Sequence, residues 1–167
     1  MGSTAQIIRA DRPQMSEDEC VSEFLEIIRP LGFLTKVESD NAIYMRPEND
    51  SEKGVRVWVD PEEGTIYSIN AKKYYRTVFF DFIWDDERHG IEDMNSDMIL
   101  SIVAEYMKKY PEALFDYEWS LGDSAFMDKT DIENVLLQPF KPDWFGTYKS
   151  HLNSRRLNDF YSEWILE

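Results

Sequence analysis

Apolar residues recur at Val21, Phe24, Leu25 and Ile28, the spacing of one helical face. Ser16 to Glu19 reads as a capping box, with Ser16 as N-cap and Glu19 three places on, and Met15 and Cys20 stand at the staple positions. Acids at 17, 18 and 19 suit the positive end of the helix dipole, and Pro30 and Gly32 end the helix. The period then shortens. Val55, Val57 and Val59 alternate with Arg56, Trp58 and Asp60, which predicts a strand with one buried face. Strands are also predicted at Phe33–Glu38, Ala42–Arg46, Thr65–Asn70 and Thr77–Trp84, joined through turn residues at 39–41 and 60–64. The last of these is apolar on both faces except at Asp81, the pattern of a central strand.

Met98, Ile99, Ile102, Val103, Tyr106, Met107 and Tyr110 form a second, broader helical stripe, with Asn95 or Asp93 as its cap and Pro111 as its stop. In "ALFDYEW", Phe115, Tyr117 and Trp119 alternate with Asp116 and Glu118, predicting a sixth strand. Thr130 to Glu133 reads as another capping box, opening a short helix through Leu137. Leu157, Phe160, Tyr161, Trp164 and Ile165 predict a C-terminal helix from about Asn153. Residues 1–14 show no period and read as a flexible lead-in, leaving 15–167 as one domain. Strands grouped together with helices around them indicate an α+β fold. The expected architecture is an antiparallel-rich sheet of five to six strands carrying an N-terminal helix, one long central helix and C-terminal helices.

At 167 residues, with 43% hydrophobic positions and 24 aromatic rings, the chain has the material for a core without disulfides or metal. A single cysteine permits no intramolecular disulfide, and no apolar stretch approaches the length of a membrane span. With no apolar leader at the N-terminus, the expected location is the cytoplasm. The net charge of −15 disfavours nucleic acid and anionic membrane as partners, since both need Lys and Arg at the contact. The charge is uneven: residues 81–133 hold 15 acids against four bases, so most of the excess lies in one third of the chain.

Within that third, "FFDFIWDDERHG" (79–90) sets Asp85, Asp86 and Glu87 beside His89. Zinc needs three or four close ligands, and two histidines and one cysteine in the whole chain do not provide them. Neither a metal nor a cofactor is expected. Asp81 interrupts an apolar strand, so it is either a perturbed carboxyl or one that faces solvent and pairs with Arg56 or Arg76. Cys20 follows three acids, which oppose a thiolate, and reads as structural. A nucleophile elbow and phosphate-cradling glycine loops are absent from the sequence.

The positive signal is acid interleaved with aromatic residues. It supports a cytoplasmic protein that neutralises a basic protein partner, most concretely a bacterial toxin-immunity protein whose carboxylates stand in for nucleic-acid phosphates. The expected contact residues are Asp85, Asp86, Glu87, Glu92, Asp93, Asp97, Asp116, Glu118 and Trp119. One alternative is a small acidic secretion chaperone: size, charge and the opening order of helix then strands look like the type III secretion chaperones. Another is a hydrolase-type enzyme using acidic residues around Asp81, with Glu118 or His89.

Overall fold

The structure, a computed structural model, describes residues 4–11, 13–50, 54–59, 66–69, 72–82, 96–118, 126–137 and 162–165. Its elements in chain order are β1 (Thr4–Arg9), α1 (Glu17–Ile28), β2 (Leu34–Val37), β3 (Ile43–Arg46), β4 (Val55–Val59), β5 (Ile66–Ile69), β6 (Lys72–Phe82), α2 (Ser96–Lys109), β7 (Leu114–Glu118), β8 (Phe126–Met127), α3 (Lys129–Leu136) and β9 (Ser162–Ile165). The α+β class holds. Among the described residues all nine strands join one antiparallel sheet, rather than the five or six expected. Its main path runs β2-β3-β4-β6-β1-β7-β8.

The long strand β6 organises the sheet. One edge takes β1 along residues 75–81; the other is shared, with β4 beside residues 78–82 and β5 beside 72–75. The prediction of a central strand here is correct, and the strand starts earlier than Thr77. Between Ile7 and Ile8 the β1–β6 register slips, so that Ile7 faces Val78 while Ile8 faces Arg76. Thr77 is the extra residue of this bulge. Its buried hydroxyl donates to the Ile7 carbonyl oxygen at 3.3 Å, which holds the irregular ladder to the adjacent strand.

The first correction concerns residues 1–14. Residues 4–9 are not a lead-in but the strand between β6 and β7, with Ile7 and Ile8 both fully buried on opposite faces. A strand covered on both sides has no apolar alternation to display, and Gln6 and Arg9 dilute its hydrophobicity further. The second concerns the C-terminus: 162–165 form a strand on β5 rather than helix, and 153–161 lie outside the described residues.

The helices cover one face of the sheet. Ser16 caps α1 as expected: its hydroxyl accepts the Glu19 N–H at 3.2 Å, and the Glu19 carboxylate accepts the Ser16 N–H in return. The helix ends in a 3-10 turn closed by Gly32, whose φ of 70° lies in the left-handed region where a side chain would be strained. Cys20, Val21, Phe24 and Ile28 bury the inward stripe. They meet Ile43, Met45, Val57, Phe80 and Phe115 from the sheet and the α2 stripe in one core. Phe80 and Phe115 meet edge to face at 6.2 Å. The cap of α3 differs from expectation. Asp128, not Thr130, accepts the N3 amide, and Asp131 reciprocates, moving the capping box two residues upstream.

Candidate functional site

Of the expected contact residues, Asp85, Asp86, Glu87, Glu92, Asp93 and Trp119 lie outside the described residues, as does His89. Glu118 ends β7 in register with Thr4. Asp97 sits in the first turn of α2, where its carboxylate accepts the Met98 N–H at 2.8 Å; the helix end already uses part of its charge. Asp116 is a correction. It is fully buried on β7, directly opposite Gln6, and accepts the Gln6 side-chain amide at 2.9 Å. The alternation of "ALFDYEW" suggested a polar outer face, yet here both faces of β7 are covered, so Asp116 is a core acceptor.

Asp81 lies on the sheet face away from the helices, opposite Arg56. Its side chain is 40% exposed and forms a 3.9 Å ion pair with Arg56, which also donates to Glu38 at 3.3 Å. Arg56, not Arg76, is its partner. Trp58 and Phe79 meet beside this line with their rings tilted by 45° and centroids 6.0 Å apart. Two partly exposed carboxylates holding one guanidinium form a surface ion network worth about 0–1 kcal/mol per pair. Acid/base work asks for carboxyls in contrasting environments, and Glu38 and Asp81 share the same one.

The uncompensated charge gathers elsewhere. Glu17, Asp18 and Glu19 are exposed in the first turn of α1, and Asp40 is exposed at the tip of the β2–β3 turn. The two elements touch where the Asn41 amide donates to Asp18 at 3.3 Å. Asn41 has a φ of 66°, which asparagine tolerates, and this closes the turn against α1. Among the described residues no Lys or Arg forms an ion pair with any of these four carboxylates. The signal was present in "SEDE" and "SDN", but capping and turn roles accounted for it separately.

A buried polar cluster was invisible in the sequence. Arg9 is 5% exposed and donates to Asp11 and to the Tyr106 hydroxyl, with its guanidinium 3.6 Å above the Tyr110 ring. Tyr106 also shares a hydrogen bond with Thr77 at 3.1 Å. The Tyr110 hydroxyl donates to Glu23 at 2.7 Å, and Lys109 reaches the same carboxylate at 3.0 Å. Burial works to lower the Arg9 pKa, but the bonds to Asp11 and Tyr106 outweigh it and hold the guanidinium charged. Burial raises Tyr106, and burial with the bond to Glu23 pushes Tyr110 up to about 12. This cluster ties β1 and β6 to both long helices and keeps its tyrosines neutral. It binds the layers together.

A groove of about 250 Å³ between α2 and α3 is lined by Leu31, Ala104, Met107, Ile132 and Leu136, with Lys108 and Lys129 at its rim. Among the described residues no group of three His, Cys, Asp or Glu side chains is placed to hold a metal ion, and no helix is long and apolar enough to cross a membrane. Cys20, the expected structural thiol, is buried. No family model, curated protein or solved structure matches this chain.

Proposed function

We propose that this chain is an acidic binding protein that neutralises a basic protein partner, in its most concrete form a bacterial toxin-immunity protein. The observation that carries the reading is the surface where α1 meets the β2–β3 turn. Glu17, Asp18, Glu19 and Asp40 stand exposed there without an ion-paired Lys or Arg among the described residues, in a chain of net charge −15. A field of one sign accelerates encounter with a partner of the other and repels wrong ones. In sequence, Asp85, Asp86, Glu87, Glu92, Asp93, Asp97, Glu118 and Trp119 carry the same acidic and aromatic composition, and we retain them as proposed contact residues apart from that corner. Asp116 does not.

The test is capture by the immobilised protein from an extract of its own source, eluted in steps of rising salt. The expected partner is a basic protein that elutes with salt. The double variant Asp18→Asn, Asp40→Asn should associate several-fold more slowly, because rim charges act mainly on the association rate. A partner retained regardless of ionic strength, or one that is itself acidic, would overturn the reading.

A further inference from the structure

The acidic corner adjoins an open sheet edge. In β2 all four residues, Leu34 to Val37, are exposed, and among the described residues β2 pairs on one side only, with β3. The hairpin turn fixes which backbone groups are unused. The Glu38 N–H bonds the Ala42 carbonyl oxygen at 2.8 Å and the Asn41 N–H bonds the Glu38 carbonyl oxygen at 3.0 Å, so the ladder closes on a bonded pair. Antiparallel pairs alternate, and the register runs Val37 to Ile43, Lys36 to Tyr44, Thr35 to Met45 and Leu34 to Arg46. Leu34 and Lys36 therefore bond to β3, while the N–H and C=O groups of Thr35 and Val37 point outward along the free edge. Leu34 and Val37 are each 43% exposed, and so are two of the four large apolar side chains left in solvent among the described residues.

We infer that β2 receives an extended segment of the basic partner as an added antiparallel strand. The segment pairs with Thr35 and Val37, and its N-terminal Lys or Arg residues reach Asp40 and Asp18. This inference rests on the basic-partner reading and names how that partner engages. Antiparallel addition places the start of the incoming strand beside the β2–β3 turn, where the uncompensated carboxylates stand, so the ladder and the charge select the same orientation. Lys36, on the other face of the strand, requires a residue opposite it that is not basic. The same residue argues against a second copy of this chain. A two-fold pairing that joins Thr35 to the copy's Val37 sets the two Lys36 side chains directly opposite each other, between chains of net charge −15.

The probe is a synthetic peptide of alternating valine and threonine with a pair of arginines at its N-terminus, followed by amide exchange and by affinity across ionic strength. The Thr35 and Val37 amides should gain protection on binding, and affinity should fall as salt rises. Thr35→Pro removes an outward donor without touching the bonds to β3, a position an edge strand tolerates, and should weaken binding by about tenfold or more. The same peptide N-methylated at every valine and threonine, which blocks both of its edges, should fail to bind the unaltered protein, a control that needs no variant to fold. Equal binding by the N-methylated peptide overturns the inference, as does unchanged exchange at Thr35 and Val37. A dimer of the wild-type chain in light scattering that Thr35→Pro dissolves also overturns it, by placing a second copy on the edge. If the basic protein captured by the wild-type chain binds Thr35→Pro with undiminished, salt-sensitive affinity, strand addition falls and the basic-partner reading stands. If no basic protein is captured at all, the basic-partner reading itself falls.

Discussion

Replacing Ile7 by alanine separates two accounts of the first residues of the chain. As part of a lead-in, Ile7 would tolerate the change within about 0.5 kcal/mol, as surface positions generally do. In the structure it is fully buried, facing Val78 on one side and Phe115 on the other, and it belongs to the main core cluster. Removing most of such a side chain costs the transfer free energy of the lost groups plus that of the cavity left behind, about 2–5 kcal/mol for Ile→Ala. Phe80 and Phe115 are locked edge to face in the same cluster, which limits collapse into the space and favours the upper half of that range. With a urea dependence of about 2 kcal/mol per molar, a loss of about 4 kcal/mol moves the unfolding midpoint down by about 2 M. Equilibrium urea unfolding followed by tryptophan fluorescence, with Glu26→Gln as an exposed control, measures it. A midpoint shift no larger than the control's would refute the placement of β1 inside the sheet.

Other changes probe separate parts of the structure. Asp128→Ala should cost about 1 kcal/mol and Thr130→Ala close to nothing, since the cap of α3 is Asp128; equal effects in thermal unfolding would restore Thr130 as the cap. Thr77→Val keeps the shape of the bulge but removes its bonds to the Ile7 carbonyl and the Tyr106 hydroxyl, for an expected loss of about 1–3 kcal/mol in chemical denaturation. Tyr106 and Tyr110 have raised pKa values, so the folded state holds their protons more tightly than the unfolded chain does. Their stabilisation is complete below the ordinary tyrosine pKa of about 10 and is lost as pH rises through about 12, the folded value of Tyr110. Stability measured across that window should fall, and Tyr110→Phe should flatten the decline.

What the sequence disclosed depended on how each element is buried. α1 and α2 each bury one stripe and expose another face, so their periods were legible, as was the alternation of β4. β1 buries both faces, and beside the local Arg9–Asp11 pair it satisfies Gln6 through Asp116 and Arg9 through Tyr106, partners about a hundred residues away that no local pattern can show. Asp116 misled for a related reason: alternation marks which residues share a face, not whether that face is covered. The acidic corner was split between two local motifs because its unity comes from one contact, Asn41 with Asp18, across 23 positions. Asp128 is masked in the sequence by Thr130 to Glu133, which fits the familiar capping pattern better than an aspartate pair does.

The insertion of β1 between β6 and β7 also orders events in time. During synthesis residues 4–9 emerge before either of their neighbours, since the strand that flanks them on one side begins at residue 72 and the strand on the other at residue 114. Until β6 has been made, β1 has no strand to pair with and α1 and the β2–β3–β4 meander form without it; until β7 follows, the other edge of β1 waits for its partner. Closure over so many residues is slow compared with making the local hairpins. Refolding is therefore expected to end with the joining of β1 to β6 and β7, and a nascent chain stalled before residue 114 would hold β1 on β6 with its other edge open to other proteins in the cell.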